Sequence, residues 1–224
     1  MRRFWAPVLA VALATAAAAQ DPELDLPRPG AISVAELTGE AFVPAEGGRK
    51  PLKAEDRVRV GATVATGRRS MVTLHFSNGA SVRLGADTEL EIEEFGQAPA
   101  TNAIKFAELK AEPTLSRTRL RLVKGDLAIE VRPLKVARGS SFIVTTPAGA
   151  LRTGEATARV STMMSSVGLG VCTLEVRRGT AEFELPGAAF QPVAAGTKLA
   201  FALERDRATG AIKVGEMPKP KGAK

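Results

Sequence analysis

The chain has 224 residues, of which 45% are hydrophobic and 25% are charged, a balance that is typical of a globular protein and excludes disorder throughout. A single histidine and a single cysteine argue against a metal site built on histidine ligands and against redox catalysis by paired cysteines, so we expect no metal. The formal net charge of +7 suits an anionic glycan, lipid headgroups or an acidic protein, whereas 4% aromatic residues disfavour nucleic acid as a partner.

The first 19 residues have the features of an export signal. Arg2 and Arg3 form a basic start, and an apolar run from Phe4 ends in small alanine side chains. We therefore predict a signal peptide over residues 1–19 with cleavage near Ala19/Gln20. The apolar run is shorter than the roughly 20 residues that cross a bilayer. We accordingly expect no membrane span and a periplasmic or secreted protein.

Residues 20–30 are acidic and proline-rich, and we interpret them as an extended leader. Short strands are predicted after it. Val72, Leu74 and Phe76 alternate with polar residues, which indicates a strand with one buried face. Asn78-Gly79 follows at once and predicts a β-hairpin whose two turn residues both have positive φ.

Glycines separate the other apolar runs. Thr38-Gly39-Glu40 predicts a hairpin turn, and Lys124-Gly125-Asp126 and Arg178-Gly179 predict further turns. A dozen or so short strands at nearly regular spacing indicate an all-β fold, as in a roll, barrel, sandwich or solenoid.

Two segments interrupt the strands. Gly96 to Ser116 is predicted to form an excursion on the surface, with about two helical turns near residues 104–111. Residues 215–224 alternate proline with lysine and are predicted to form a disordered tail. The all-β domain is therefore expected to span residues 31–214.

Charged side chains form rows on two predicted strands and a pair in one loop. An acidic row comprises Glu89, Glu91 and Glu93, a basic row comprises Arg117, Arg119 and Arg121, and the loop carries Arg68 and Arg69. We predict that the two strands pair, because unlike charges opposite each other contribute about 0.2–1 kcal/mol per pair. A glycosidase would also use paired carboxylates, but acids along a single strand without an aromatic platform disfavour that chemistry. We predict instead that these eight residues bind a partner.

The residues that catalysis would require are sparse. His75 is predicted on the solvent face of its strand, without the Gly-x-Ser-x-Gly turn of a serine hydrolase. Cys172 shares the face of Leu174 and Val176 and is predicted to be a buried apolar residue. We therefore predict no catalytic residue and no enzymatic activity.

The order and spacing of several motifs together resemble the periplasmic FecR domain over roughly residues 31–203. The motifs are Val60-Gly61, Thr66-Gly67, Asn78-Gly79-Ala80-Ser81, Leu84-Gly85, Leu120-Arg121-Leu122 with Gly125, Phe142 to Pro147, Val176 to Gly179, and Ala195-Gly196. The resemblance implies a roll-like or solenoid-like all-β domain that recognises other proteins and holds no cofactor.

In the best-known members of that family, the domain relays the state of an outer-membrane TonB-dependent receptor to an anti-sigma segment in the cytoplasm. We expect this chain to depart from the pattern, because its 224 residues show no predicted cytoplasmic helical region and no predicted spanning helix. It also has Leu151 to Glu155 where the family usually has Arg-Gly-Thr.

Two functions remain as hypotheses. The first is a periplasmic, non-enzymatic FecR-type module that binds an envelope protein and regulates signalling. The alternative is an envelope-structural module that binds anionic glycan or peptidoglycan through its basic surface. The sequence leaves the oligomeric state and the identity of the sheet edges open.

Overall fold

The computed structural model describes residues 30–45, 47–100 and 105–216. The predicted domain of residues 31–214 lies almost wholly within these ranges. The predicted signal peptide and its cleavage point, the leader up to residue 29, and the tail from residue 217 lie outside the described residues. Within the described ranges, no helix is long and apolar enough to cross a membrane.

The fold is all-β, as the sequence predicts, and the fifteen strands of the described residues belong to one sheet. The strands are β1 Ile32–Thr38, β2 Ala41–Ala45, β3 Gly48–Pro51, β4 Arg57–Val58, β5 Thr63–Thr66, β6 Met71–Phe76, β7 Ser81–Leu84, β8 Glu89–Gln97, β9 Ser116–Val131, β10 Ser141–Thr146, β11 Gly149–Met164, β12 Leu169–Glu184, β13 Gln191–Val193, β14 Lys198–Arg205 and β15 Ile212–Glu216.

The sheet folds into two layers that share three long strands. Strands β9, β11 and β12 have 16 residues each, and each of them has one half in the first layer and the other half in the second layer. The first layer runs in the order β4-β1-β6-β7, then half of β9, β11 and β12, then β14-β15. The second layer runs in the order β3-β2-β5-β8, then the other half of β9, then β10, the other halves of β11 and β12, and β13.

Three predicted turns are therefore wrong. Gly125 and Gly179 lie inside β9 and β12, where their positive φ values of 97° and 80° accommodate irregular extended backbone. Gly39 does not close a hairpin, since β1 pairs with β4 and β6 while β2 pairs with β3 and β5. The Gly39 turn carries the chain from one layer to the other.

The hairpin predicted at Asn78-Gly79 joins β6 to β7, with Leu74 opposite Val82. Its turn differs from the prediction, because Gly79 has a φ of 92° whereas Asn78 is not among the residues with positive φ. The Gly79 N–H donates to the Phe76 carbonyl, and the Phe76 N–H donates to the Ala80 carbonyl. This pattern is a three-residue loop that ends in a left-handed glycine.

A continuous apolar core fills the space between the layers. Val72, Leu74 and Phe76 of β6 are fully buried, which confirms the predicted apolar face, but Thr73 on the opposite face is also buried, at 5% exposure, so the burial does not strictly alternate. The ring of Phe76 meets that of Phe95 on β8 edge-to-face, with centroids 5.1 Å apart, and so links the two layers.

In the segment between β8 and β9, the described residues 98–100 and 105–115 contain one short 3₁₀ turn, Phe106–Glu108, and residues 105–111 do not form the predicted two helical turns. The segment is also not a wholly superficial excursion. Leu109 and Glu112 are only 7% and 3% exposed. The side chain of Glu112 receives hydrogen bonds from both sides, which holds the end of the segment in the core.

Candidate functional site

The acidic and basic rows lie next to each other on the outer face of the second layer. Strand β8 pairs antiparallel with the first half of β9, with Glu91 opposite Arg121. The predicted pairing of the two strands is therefore confirmed. The apolar residues between the charged ones, such as Leu120 and Leu122, are buried, so the charged side chains point to solvent.

A bulge at Glu93 changes the charge pairing along the two strands. The register shifts between Ile92 and Glu94, so Glu94 lies opposite Arg119 and the exposed Glu93 has no opposite residue. Arg117 lies opposite Gly96 instead of an acid. The prediction of unlike charges at every position is therefore correct for Glu91 and wrong for Glu93 and Arg117.

Two ion pairs form between the strands. The guanidinium of Arg121 lies 3.3 Å from the Glu91 carboxylate, and the ammonium of Lys124 lies 3.5 Å from the Glu89 carboxylate. All four side chains are solvent-accessible, so each pair contributes about 0–1 kcal/mol to stability. Arg117 and Arg119 take part in none of the ion pairs among the described residues.

The same face continues across the neighbouring strands. Strand β10 runs parallel to β9 and places Ile143 beside Arg119. Arg152 of β11 lies opposite Ile143, and Glu182 of β12 lies opposite Arg152. The Arg152 guanidinium donates to the Glu182 carboxylate at 2.7 Å and lies 4.2 Å from the ring centre of Phe190. This extension is not evident from the sequence, because β11 is far from β9 along the chain.

Arg68 and Arg69 occupy the turn between β5 and β6, where both are exposed. Arg69 has a left-handed φ of 54°. The Ser70 hydroxyl braces the turn by donating to the Arg68 carbonyl and accepting from the Glu40 N–H at 2.9 Å. Strand β5 pairs with β8 and places Ala65 opposite Glu89, so the turn follows the strand that borders the acidic row.

We call the exposed and half-buried charged side chains of this region the charged face. It comprises Arg68 and Arg69 of the turn, Glu89, Glu91, Glu93 and Glu94 of β8, Arg117, Arg119, Arg121 and Lys124 of β9, and Arg152 and Glu182 of the next strands. The backbone beneath it is held by strand pairing on both sides of β9. Such a surface presents alternating charges in fixed positions, which suits recognition of a complementary protein surface.

His75 has a packing partner that the sequence did not reveal. Its ring stacks on Phe106 with centroids 3.6 Å apart, and Arg132 lies 4.7 Å from the centre of the same Phe106 ring. Partial burial and the neighbouring Arg132 charge lower the pKa of His75, while Glu36 raises it. The histidine thus holds the 3₁₀ turn of the β8–β9 connection against β6.

Cys172 is fully buried, as predicted. Its thiol donates to the Thr146 hydroxyl at 3.7 Å, and burial raises the pKa of the thiol. A high pKa and full burial keep Cys172 protonated and inert, so it acts as a small apolar core residue.

A buried polar cluster at the start of β9 was also missed. The Asn78 amide donates to the hydroxyls of Ser116 and Thr118 at 3.1 and 3.2 Å. The Ser116 hydroxyl donates to Glu112 at 2.8 Å, and the Lys135 backbone N–H donates to the same carboxylate at 2.5 Å. The cluster joins the β6–β7 turn to the β8–β9 connection and positions the start of the arginine row.

The comparisons with known proteins concern both sequence and structure. The family model described as FecR protein matches residues 62–182. The comparison with curated proteins gives no match. Two crystal structures, at 1.65 and 2.50 Å resolution, of a protein described as a "putative anti-sigma factor" from Parabacteroides distasonis ATCC 8503 are similar to this chain at 14% identity. The TM-scores are 0.43 and 0.44, and the alignments cover 69% of this chain and 59% of that protein.

Proposed function

Since the chain belongs to the FecR protein family, we propose that it is a non-enzymatic module that binds a protein of the cell envelope and takes part in regulatory signalling there. The apolar start of the sequence, with Arg2 and Arg3 before it, supports export to the periplasm or beyond. A binding role is supported by the state of the single histidine and the single cysteine, because the His75 ring is stacked on Phe106 and the Cys172 thiol is buried.

The observation that carries the proposal is the arginine row of β9, in which Arg119 and Arg121 are exposed and Arg117 is half-buried, on a strand that is paired on both sides. Arg119 lies between Glu94 and Ile143, within a sheet whose backbone is already satisfied. Forming a contact with Arg119 therefore requires little ordering of the backbone, which lowers the entropic cost of binding. Arginine is enriched at the energetic centres of protein interfaces for its planar, multidentate hydrogen bonding.

Mixed charge favours a protein over an anionic glycan as the partner. On the charged face, Arg121 is paired with Glu91 and Arg152 with Glu182, so the surface is not uniformly basic. A glycan held through charge alone would be repelled by the acidic row and would be released as salt rises. A protein interface combines such charges with apolar contacts and persists at higher salt.

The test is capture of partners from envelope extract by the exported protein and by Arg117→Glu/Arg119→Glu, which leaves the Arg121–Glu91 pair intact. The matched control is Arg205→Glu/Arg207→Glu, which makes the same charge change on exposed residues of β14 and the turn after it. We expect a discrete protein to be retained at about 0.5 M salt by the wild type and by the control, where the Debye length is only a few ångströms.

The expected result for Arg117→Glu/Arg119→Glu is a loss of most of the captured protein, while the variant stays folded with a slightly lowered thermal midpoint, because the new carboxylate at position 119 faces Glu94. Equal capture by all three proteins would refute the role of the arginine row. Capture of glycan alone, lost at the higher salt in every variant, would favour the envelope-structural alternative.

A further inference from the structure

The two layers of the sheet are open at the end where β3 and β4 lie. Strand β4 is the last strand of the first layer, and β3 is the last strand of the second. Between them is a groove of about 790 Å³, which we call the open-end groove. Its volume is in the range of about 300–1,000 Å³ that is usual for ligand sites. It is lined by Gly30, Ala31, Ile32, Val43, Lys50, Leu52, Arg57, Val58, Arg59, Val60 and Ala62.

The floor of the groove is apolar and its margin is basic. Ile32, Leu52 and Val58 belong to the core and are 1–6% exposed, while Val60 is 37% exposed. The charged residues that line the groove are Lys50, Arg57 and Arg59, all exposed, and no acidic residue lines it among the described residues.

The positive charge at the margin is not compensated by the described part of the chain. None of the five ion pairs there involves Lys50, Arg57 or Arg59. An apolar floor beneath three unpaired cations is complementary to a ligand with apolar and anionic groups on the same short segment.

The walls of the groove also present backbone hydrogen-bonding groups. In the described part of the chain, β3 pairs only with β2, and β4 pairs only with β1, through Ile32 opposite Val58 and Ser33 opposite Arg57. The outer side of each strand therefore carries N–H and C=O groups without a neighbouring strand among the described residues. Unpaired strand edges of this kind accept an added strand from another chain.

From these three features we infer that the open-end groove binds an extended segment of a partner protein in which apolar and acidic residues alternate. The apolar side chains of the bound segment pack on Ile32, Leu52 and Val58, and its carboxylates contact Lys50, Arg57 and Arg59. Its backbone pairs with the free edge of β3 or β4. The open-end groove is a surface other than the charged face, so failure of one proposal leaves the other unaffected.

The test uses the full chain and three labelled ten-residue peptides in fluorescence anisotropy titrations. The probe alternates valine with glutamate, the second peptide alternates valine with lysine, and the third alternates serine with glutamate. We expect saturable binding of the first peptide and at least tenfold weaker binding of the other two. Methylation of the backbone nitrogens of the first peptide should weaken it at least tenfold, because the methyl groups remove the donors that strand addition requires.

Two variants locate the binding to the groove. Arg57→Glu/Arg59→Glu should weaken the valine–glutamate peptide at least tenfold, whereas the matched control Arg205→Glu/Arg207→Glu should bind it as the wild type does. Val60→Asp, which places a charge on the exposed part of the apolar lining, should also weaken it. Far-UV circular dichroism and the thermal midpoint establish that each variant is folded.

Several results would overturn the inference. These are the absence of saturable binding, equal binding by Arg57→Glu/Arg59→Glu and the control, or equal binding of the serine–glutamate peptide. Displacement of the peptide by a small apolar dye with no dependence on Arg57 would assign the groove to an apolar ligand. A concentration-dependent dimer abolished by Val60→Asp would assign it to a second copy. Tenfold tighter peptide binding after neutralising Asp21, Glu23 and Asp25 would assign it to the chain's own preceding segment.

Discussion

Replacing the buried Glu112 by alanine should strongly destabilise the fold. Its carboxylate accepts hydrogen bonds from the Ser116 hydroxyl and from the backbone N–H of Lys135. A buried donor without an acceptor costs about 1–3 kcal/mol. The Ser116 hydroxyl rotates to seek another acceptor, but the Lys135 N–H is fixed by the backbone. We therefore expect Glu112→Ala to lower the free energy of unfolding by about 3 kcal/mol.

Urea unfolding measures this loss. With a slope of about 1–3 kcal/mol per molar urea, a loss of 3 kcal/mol lowers the midpoint by about 1–3 M. Glu112→Gln keeps one carbonyl acceptor for the Lys135 N–H and lets the Ser116 hydroxyl accept from the new amide, so it should cost less than half as much. The control, Glu108→Ala, changes an exposed acid of the same segment and should stay within about 0.5 kcal/mol of the wild type. A midpoint for Glu112→Ala equal to that of Glu108→Ala would refute the assigned role of the polar cluster.

Three further predictions concern other parts of the fold. A double-mutant cycle on Arg121→Ala and Glu91→Ala should give a coupling free energy of about 0.2–1 kcal/mol from urea midpoints, and a zero coupling would show that the observed ion pair is energetically silent. Cys172 should remain unmodified by an aromatic disulfide reagent at about pH 8 in the native protein and react at once in urea, because the native thiol is buried with a raised pKa; rapid native labelling would contradict that burial. The pKa of His75 is lower in the native state than the ordinary histidine value of 6.5, so on acidification below pH 6.5 the unfolded chain takes up a proton at His75 before the native state does. The stability contributed by neutral His75 is therefore present above pH 6.5 and is lost on acidification. His75→Phe keeps an aromatic ring for stacking and should show a smaller fall in thermal midpoint between pH 7 and pH 5 than the wild type; an unchanged pH dependence would count against it.

The fold class follows from the sequence because alternation of apolar residues is a local signal. Val72, Leu74 and Phe76 specify a buried face whatever strand pairs with them. The turns at Gly39, Gly125 and Gly179 were misassigned because a glycine with positive φ serves equally in a hairpin, a layer crossing or a bend within a long strand. Only the pairing partners distinguish these cases, and they lie far apart along the chain.

The charged face was predictable in part. The pairing of β8 with β9 follows from complementary rows of the same period. The bulge at Glu93 is not demanded by any residue type there, and the register shift places Phe95 instead of Glu94 in the core. The place of Arg152 cannot be predicted from the sequence, because it depends on the parallel pairing of β10 with the first half of β9, which brings Ile143 beside Arg119, and on the pairing of β10 with β11.

The sequence gives little indication of the open-end groove. Arg57, Val58 and Arg59 alternate as in an ordinary half-buried strand. What makes them part of a groove is that β4 ends its layer and that β3 ends the other. A strand's place at a sheet edge is a property of the topology and cannot be derived from local composition.

The central claim is that the charged face contacts a protein, and site-specific crosslinking in living cells tests it most directly. A photoreactive benzoylphenylalanine in place of Arg119 should give a discrete protein adduct on irradiation, whereas the same group in place of the exposed Arg207 should give none. An adduct at both positions, or at neither in cells that export the folded protein, would contradict the claim.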